Sequence, residues 1–461
     1  MPHSAAVPDF QRPLHLPRDA GAGHARRLLA SLGIATEEIA DDTEDHPHLV
    51  WARSGAMALT GASSPMPIRA PLASAARGAF LALAALSPRV RTAFPSDFNP
   101  ETLLSERAAI AGLTRQGHRS CGGSCELMST RDGVIALNLA RDEDWEQLPA
   151  LLADTAPRAG DWAGLRHSLR RQRTERLLER GQLLGLAIAD AVHSPAPRPW
   201  FQRQVPGDTP APGHQPLVVD LSALWAGPLC GSLLAAAGGR VIKVESRQRP
   251  DGARQGPRAF FDLLNQGKES LALDLTSAQG QRQLAALIEQ ADIVIESSRP
   301  RALRQLGIDA EAIVRRQPGK LWISLTGYGR SHELRIAYGD DAGVAAGLSH
   351  LLFEDSGHYR FCGDAIADPL TGLHAAVAAC AHWHGGRGGL LDISLVDVVR
   401  FCCEPLAPAN AAVEFSGDAW WLQLGQDRVR VAEPQSRMAR GPAAELGADN
   451  HRLFQDFALP C

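Results

Sequence analysis

From residue 216 onward the chain alternates short apolar runs with stretches of helical period, and that alternation predicts a repeated strand–helix–strand order. Leu217-Val218-Val219-Asp220-Leu221 reads as a buried strand, followed by a Gly227-Pro228 turn and a helix through Leu233-Leu234-Ala235-Ala236-Ala237. Gly238-Gly239 closes that helix, and Val241-Ile242-Lys243-Val244-Glu245 is the next strand. Residues 270–275, 293–296 and 321–325 continue the strands, with a helix over 279–290 between the first two. Wholly apolar strands separated by helices belong to parallel sheets covered on both faces. The expected fold class is therefore α/β, an open, doubly wound, mostly parallel Rossmann-like sheet, whose ligands lie beyond the carboxyl ends of the strands.

Ahead of that unit the pattern changes. Residues 1–20 are polar, and residues 22–90 alternate small apolar helices with turns. Over 121–140 a glycine turn feeds an antiparallel pair, Cys125-Glu126-Leu127-Met128 and Val134-Ile135-Ala136-Leu137, joined at Arg131-Asp132-Gly133. Helices are predicted over 142–152 and 162–179, so a smaller α+β domain precedes the large one. A proline-rich stretch separates the two. The expected division is 1–99 helical, 100–195 small domain, 196–215 linker, 216–433 large domain and 434–461 a return segment.

Two stretches nearly repeat. Ile366-Ala-Asp368-Pro369-Leu370 opens an alanine-rich helix, and Ile68-Arg-Ala70-Pro71-Leu72 opens another. Leu306-Gly307-Ile308 with Ile313 echoes Leu32-Gly33-Ile34 with Ile39, and Leu325-Thr326-Gly327 echoes Leu59-Thr60-Gly61. Apolar spacing in both copies is needed to bury a helix face. The carboxylate of Asp368 is not, and its counterpart is Ala70. Asp368 is thus a candidate for chemistry, with a helix N-cap as the structural alternative.

Composition narrows the classes. The 461 residues are 45% apolar and 21% charged with a net charge of -4, which gives no global attraction to nucleic acid or anionic membrane. No apolar run is long enough to span a bilayer, and Met1-Pro2-His3-Ser4 opens no export signal, so a cytoplasmic location is expected. Eight cysteines do not make a disulfide scaffold, and His118, Cys121 and Cys125 lack the four spaced ligands of a zinc site. The first βα turn, Ser222 to Pro228, has no Gly-x-Gly-x-x-Gly, so nicotinamide loses its main support although Glu245 stands where a ribose partner would. Neither metal, flavin nor nicotinamide is expected.

The words Asp220-Leu221-Ser222, Ala226-Gly227-Pro228, Val241-Ile242-Lys243-Val244-Glu245, Asn265-Gln266-Gly267-Lys268, Ala291-Asp292-Ile293-Val294-Ile295-Glu296, Ser324-Leu325-Thr326-Gly327-Tyr328-Gly329 and Leu390-Leu391-Asp392-Ile393-Ser394 follow one another in order. Through them the C-terminal half resembles the class III CoA-transferases, the family of formyl-CoA:oxalate and carnitine CoA-transferases that also includes the α-methylacyl-CoA racemases. Residues 121–140, 142–152, 171–181 and Gly185-Leu186-Ala187-Ile188 resemble that family's small domain and its closing helices, and 434–454 its return segment. The chain thus reads as rearranged or fused, with 25–90 a degenerate piece of the large domain.

The resemblance implies coenzyme A, carried as an acyl-CoA substrate, a small carboxylic acid as partner, and a homodimer of the family's interlocked type. Carried over by position, the catalytic aspartate falls on Asp368, with Asp364 the rival that matches no position the family uses. Asp368 would attack the thioester to give an acyl-aspartyl anhydride and CoA thiolate, and the thiolate would then give an aspartyl-CoA thioester. Gly122 and Gly123 match the family's mobile glycine loop. Ala223, Leu224, Trp225 and Ala226 would line the nucleotide and pantetheine. Arg247 and Lys268 are the first phosphate partners, followed by Arg335 and Arg254. Ser297-Ser298 replaces the family's Asn-Phe, and Arg299, Arg301 or Arg304 would have to compensate. A dicarboxylate acceptor would point to Arg330 or Arg335. Asp340 occupies the position of the racemase histidine, so a racemase or another CoA-thioester isomerase is the alternative, if burial raises that carboxyl. A non-catalytic CoA-binding protein is the third reading.

Overall fold

The computed structural model describes residues 13–16, 19, 21–37, 45–209, 213–404, 406–408 and 410–460. Residues 1–12, 17, 18 and 20 of the polar stretch 1–20, Ile39 of the repeat and residues 210–212 of the linker lie outside the described residues.

The small domain is built on three antiparallel strands, β1 (Cys125–Ser129), β2 (Val134–Asn138) and β3 (Ala187–Asp190), in the order β1-β2-β3. The predicted hairpin is present, with Leu127 opposite Ala136. Its helices are shorter than the periodicity suggested. Asp142–Glu146 and Leu148–Leu152 share the first stretch, and Trp162–Leu169 and Thr174–Leu184 the second, with Gln172 in the break donating to the Leu152 carbonyl. Ala187 and Ile188, read with Gly185-Leu186 as part of the closing helices, instead open β3, where Ile188 packs in one cluster with Met128, Ile135 and Leu137.

The large domain holds a seven-stranded sheet made of β4 (Phe201–Asp208), β5 (Leu217–Asp220), β6 (Arg240–Ser246), β7 (Glu269–Leu273), β8 (Ile293–Glu296), β9 (Leu321–Thr326) and β10 (Arg387–Ser394). Their spatial order is β4-β10-β9-β8-β5-β6-β7. All neighbours are parallel except β4, which runs antiparallel to β10. The chain therefore winds outward from β5 in both directions, and a crevice opens between the carboxyl ends of β5 and β8. Strand β4 lies inside the stretch read as a linker. It carries Pro206 and half-exposed side chains, which suit an edge strand and hide it from an apolar-run criterion. A further meander, β11 (Ala411–Ser416), β12 (Ala419–Leu424) and β13 (Asp427–Arg430), packs on the Pro47–Arg53 helix and had no signal in the apolar pattern.

The N-terminal copy keeps helices and has no strand in the large sheet. The helix Ala22–Ser31 ends at Gly33 in the left-handed region, with Gly33 N–H bonded to Ala30 and Ile34 N–H to Leu29. The helix Pro300–Gln305 ends identically at Gly307, with the amides of Gly307 and Ile308 bonded to Arg304 and Leu303. The Leu-Gly-Ile repeat is thus one helix stop used twice. Leu72–Leu86 packs directly on Ala367–His384, the two alanine-rich helices of the repeat, so the degenerate copy covers the outer face of the helix that carries Asp368.

At that joint His24 Nε2 lies 2.8 Å from His374 Nε2. Arg27 donates to His24 Nδ1, so His24 Nε2 carries the hydrogen and donates to His374, whose Nδ1 donates to the Leu370 carbonyl. With Cys402 these histidines are grouped closely enough for a metal, but Arg27 already occupies the second nitrogen of His24 with a cationic donor. The set therefore fits a closed chain of neutral hydrogen bonds. Among the described residues no helix is long and apolar enough to cross a membrane.

Candidate active site

The helix Ala226–Ala236 starts at the carboxyl end of β5 and lies against Ala367–His384. Their approach depends on Gly372, where a Cβ would stand 2.6 Å from the Ala226 carbonyl oxygen. That contact sets Asp368, in the first turn of the second helix, beside the turn that follows β5. A cavity of about 320 Å³ opens there, lined among others by Arg107, Gly122, Leu224, Trp225, Gly339, Asp340 and Asp368. Trp225 is buried and meets Phe260 edge-on with ring centroids 5.2 Å apart, while Leu224 adopts a left-handed backbone, its N–H donating to Asp251 at 3.0 Å. The loop residues Gly122 and Ser124 of the small domain and Asp368 of the large domain face this one cavity within a single chain.

Two backbone turns clasp each other around the carboxyls. The Gly339 N–H donates to Asp368, the Ala365 N–H donates to Asp340 Oδ1 at 2.9 Å, and the Asp368 N–H returns to the Ala365 carbonyl. A Cβ on Gly339 would lie 2.3 Å from Asp368 Oδ2 and 2.4 Å from the Ala365 oxygen. Gly339→Ala is therefore expected to displace the Asp368 carboxyl and reduce activity by at least about a hundredfold. Steady-state kinetics beside a thermal melt checks this, since the loss should far exceed any change in stability.

Arg107 supplies the cation of the site. It grips Asp364 with two hydrogen bonds, Nε to Oδ2 at 2.9 Å and Nη2 to Oδ1, and its guanidinium carbon lies 5.4 Å from the Trp225 ring centre. Asp364, the rival of Asp368 in the sequence, is wholly buried on this arginine. Burial pushes the Asp368 carboxyl up to about 7, offset by the Arg107 charge and raised further by Asp340 and Asp364. Asp340 is pushed by burial up to about 6, again held down by Arg107. Asp341 is pushed up to about 7 by burial. It accepts from Asn138 of the small domain at 3.0 Å and from the Tyr338 N–H at 3.0 Å, tying the two domains together.

The other sequence-derived positions divide. Leu224 and Trp225 line the cavity with Gly122 and Asp368. Gly123 takes a left-handed backbone just beyond Gly122, with its N–H bonded to the Ser120 carbonyl at 2.8 Å. Ala226 heads its helix. The Ala223 N–H donates to Ser297 Oγ at 3.2 Å, across the crevice between β5 and β8. Ser297 and Arg335 line a neighbouring cavity of about 60 Å³ together with Arg299. Arg335 stacks 3.7 Å above the Tyr328 ring, and Arg247 is exposed at the end of β6.

Lys268 does not face a phosphate. Its Nζ is buried on Asp220 Oδ2 at 2.8 Å, the Pro228 carbonyl at 2.8 Å and Asn265 at 3.0 Å, which uses all three of its hydrogens. Arg254 and Glu245, read as phosphate and ribose partners, pair with each other at 2.7 Å. Arg330 is likewise committed, to Glu296 and Glu311, so it offers no charge to a dicarboxylate. Arg304 pairs with Glu333 at 3.0 Å. At Lys268, Arg254 and Arg330 a buried ion pair takes the cation that a sequence reading left free, while the Arg304–Glu333 pair is exposed.

A model of CoA-transferase family III matches residues 214–418. An acyl-CoA transferase of Fusarium pseudograminearum is 31% identical over 201 residues, 39% of this chain and 44% of that protein. A succinyl-CoA–D-citramalate CoA-transferase of Chloroflexus aurantiacus is 30% identical over 212 residues, 43% and 53% of the two chains. A formyl-CoA:oxalate CoA-transferase of Afipia carboxidovorans is 31% identical over 198 residues, 40% and 47%. The chain spans about half the length of these curated relatives. A crystal structure of a CAIB/BAIF family protein from Brucella suis aligns over 47% of this chain and 66% of its own, with 23% identity and a TM-score of 0.37. Arg107, Gly122 and Asn138 lie outside the matched segment, although they face the residues inside it. Through residues 214–418, the chain is similar to the class III CoA-transferases.

Proposed function

We propose that this protein moves coenzyme A from an acyl-CoA to a small carboxylic acid, with Asp368 as nucleophile. The observation that carries the reading is the half-buried Asp368 carboxyl facing a cavity shared with the glycine loop and the first βα turn. A carboxylate is a weak nucleophile, and shielding from water is what makes its attack on a thioester competitive. Asp368 attacks the acyl carbonyl and the C–S bond breaks, giving an anhydride and CoA. The sulfur then attacks the aspartyl carbonyl and releases the donor acid. The acceptor acid repeats both steps in reverse order. The backbone N–H of Gly122 is the proposed oxyanion donor, because it requires no reorganisation in the transition state, whereas the Gly123 N–H is taken by the Ser120 carbonyl.

CoA is expected to run from the crevice at Ala223 and Ser297, past Leu224 and Trp225, with its phosphates toward Arg299, Arg335 and the exposed Arg247. The relatives named for citramalate, oxalate and succinate act on dicarboxylic acids. Arg107 lines the cavity beside Asp368 but is held by Asp364, as Arg330 is by Glu296 and Glu311, so the expectation of a dicarboxylate acceptor rests on these relatives. A homodimer is the assembly that the family resemblance carries. The racemase alternative gains one observation, the Asp340 carboxyl raised to about 6 in the same cavity.

An acyl-CoA donor incubated with a panel of mono- and dicarboxylates tests this. New acyl-CoA products are expected, most readily from dicarboxylates. Deuterium exchange at C2 of a branched acyl-CoA, with no acid accepting CoA, contradicts the transferase and selects the isomerase.

A further inference from the structure

The transfer chemistry leaves one group in the cavity without a task. Asp340 lines the same space as Asp368, and the interlocked turns fix the two carboxyls relative to each other. We propose that Asp340 is the proton carrier of the CoA thiol, giving its proton to the sulfur as the C–S bond breaks and taking it back as the sulfur attacks. This rests on the transferase reading and adds to it a second reacting carboxyl.

Three carboxyls, Asp340, Asp364 and Asp368, share the guanidinium of Arg107, which is held on Asp364 and so offers a departing thiolate little charge. The other titratable groups on the elements packed against Asp340 do not relieve this. Asp341 is the next residue of its own helix, and Cys121 and Cys125 on the glycine loop and β1 are buried thiols pushed further up by these carboxylates. The hydroxyl of Ser120 faces Asp340 as well. Arg107 is held on Asp364 by two hydrogen bonds, so the proton must come from a carboxyl.

Asp368 must be ionised to attack, so the reacting state is the tautomer with the pair's one proton on Asp340, although Asp368 is the weaker acid of the two, at about 7 against about 6. A free thiol titrates near about 8.5, so transfer from Asp340 to the departing sulfur runs downhill. The balance closes. The Asp368 oxygen bonds the acyl carbon, the sulfur leaves with the C–S electron pair and takes the Asp340 proton. In the next step the Asp340 carboxylate removes the S–H proton while the sulfur bonds the aspartyl carbon, and the donor acid departs as a carboxylate. Both steps recur for the acceptor, and no net proton is consumed.

Asp340→Asn keeps the oxygen that accepts the Ala365 N–H and removes only the transferable proton. The test is rapid-mixing measurement of CoA release from an acyl-CoA, across pH, in H₂O and D₂O. The wild type is expected to give a bell, rising as the Asp340–Asp368 pair loses its first proton and falling as it loses its second, with a solvent isotope effect on release. The variant is expected to lose the alkaline limb and the isotope effect, with release slowed about a hundredfold, and Asp340→Glu to recover part of the rate. An unchanged bell and rate in Asp340→Asn overturns the proposal. If that variant does not fold, a wild-type release step with no alkaline limb and no isotope effect overturns it equally. A wild type that transfers no CoA at all instead refutes the transferase reading.

Discussion

Asp368→Asn is expected to reduce CoA transfer by at least about 10⁴-fold while leaving the fold intact, because the asparagine is isosteric, accepts the same Gly339 N–H and cannot form the anhydride. Replacing a nucleophile removes the whole covalent path, and such losses are large and not recoverable by substrate concentration. The stability of the variant should match or exceed that of the parent near neutrality. The sign follows from the raised carboxyl. A group whose pKa is higher in the folded state stabilises the protein fully below its unfolded value and loses that contribution as pH rises through the folded one. For Asp368 the window runs from about 4 up to about 7, so at pH 7 the native state holds a costly buried charge that asparagine lacks. Only the ionised Asp368 attacks, so the wild-type rate should also fall on the acid side, as the Asp340–Asp368 pair takes up its second proton. Thermal melts and initial rates at several pH values check both signs.

Arg107→Met is expected to be the most damaging change to stability around the site. It strands Asp364, which has no exposed surface, and leaving one member of a buried ion pair costs about 3–5 kcal/mol. The arginine itself keeps 29% of its side chain open, which places the loss at the lower end of that range. Adding Asp364→Asn should return most of the lost stability, because the uncompensated charge is gone. Activity should not return with it. The Arg107 charge holds the carboxyls of Asp368 and Asp340 down, so without it the acid limb of the rate should move to higher pH in the double variant. A melt restored together with an unshifted pH profile would show that Arg107 serves only as the partner of Asp364.

What the sequence revealed depended on how local the signal was. The strands β5, β6, β7, β8 and β9 stood out because buried parallel strands are short, continuous apolar runs. Asp368 stood out because its near-copy has Ala70 in the same apolar frame. Arg107 did not, since its partner lies 257 residues away and nothing around it on a short helix marks it. Gly339 was passed over because its requirement comes from the Asp368 oxygen standing where a Cβ would be, which is a contact between distant turns. Lys268 and Arg330 misled for the opposite reason. A lysine in a Gly-Lys turn and an arginine after a glycine look like phosphate or carboxylate partners until burial on Asp220 and Glu296 is known. The edge strand β4 was hidden by Pro206 and by half-exposed side chains that read as linker.

The central claim is a covalent bond between substrate and one carboxyl, and trapping that bond tests it most directly. Wild-type protein incubated with an acyl-CoA and quenched with hydroxylamine, or reduced with borohydride, is to be digested and mapped by mass. The account predicts a single modified carboxyl, on the peptide containing Asp368, with no modification of that peptide in Asp368→Asn. Modification at Asp340 or Asp364 in its place, or equal labelling of the Asp368→Asn protein, would contradict it.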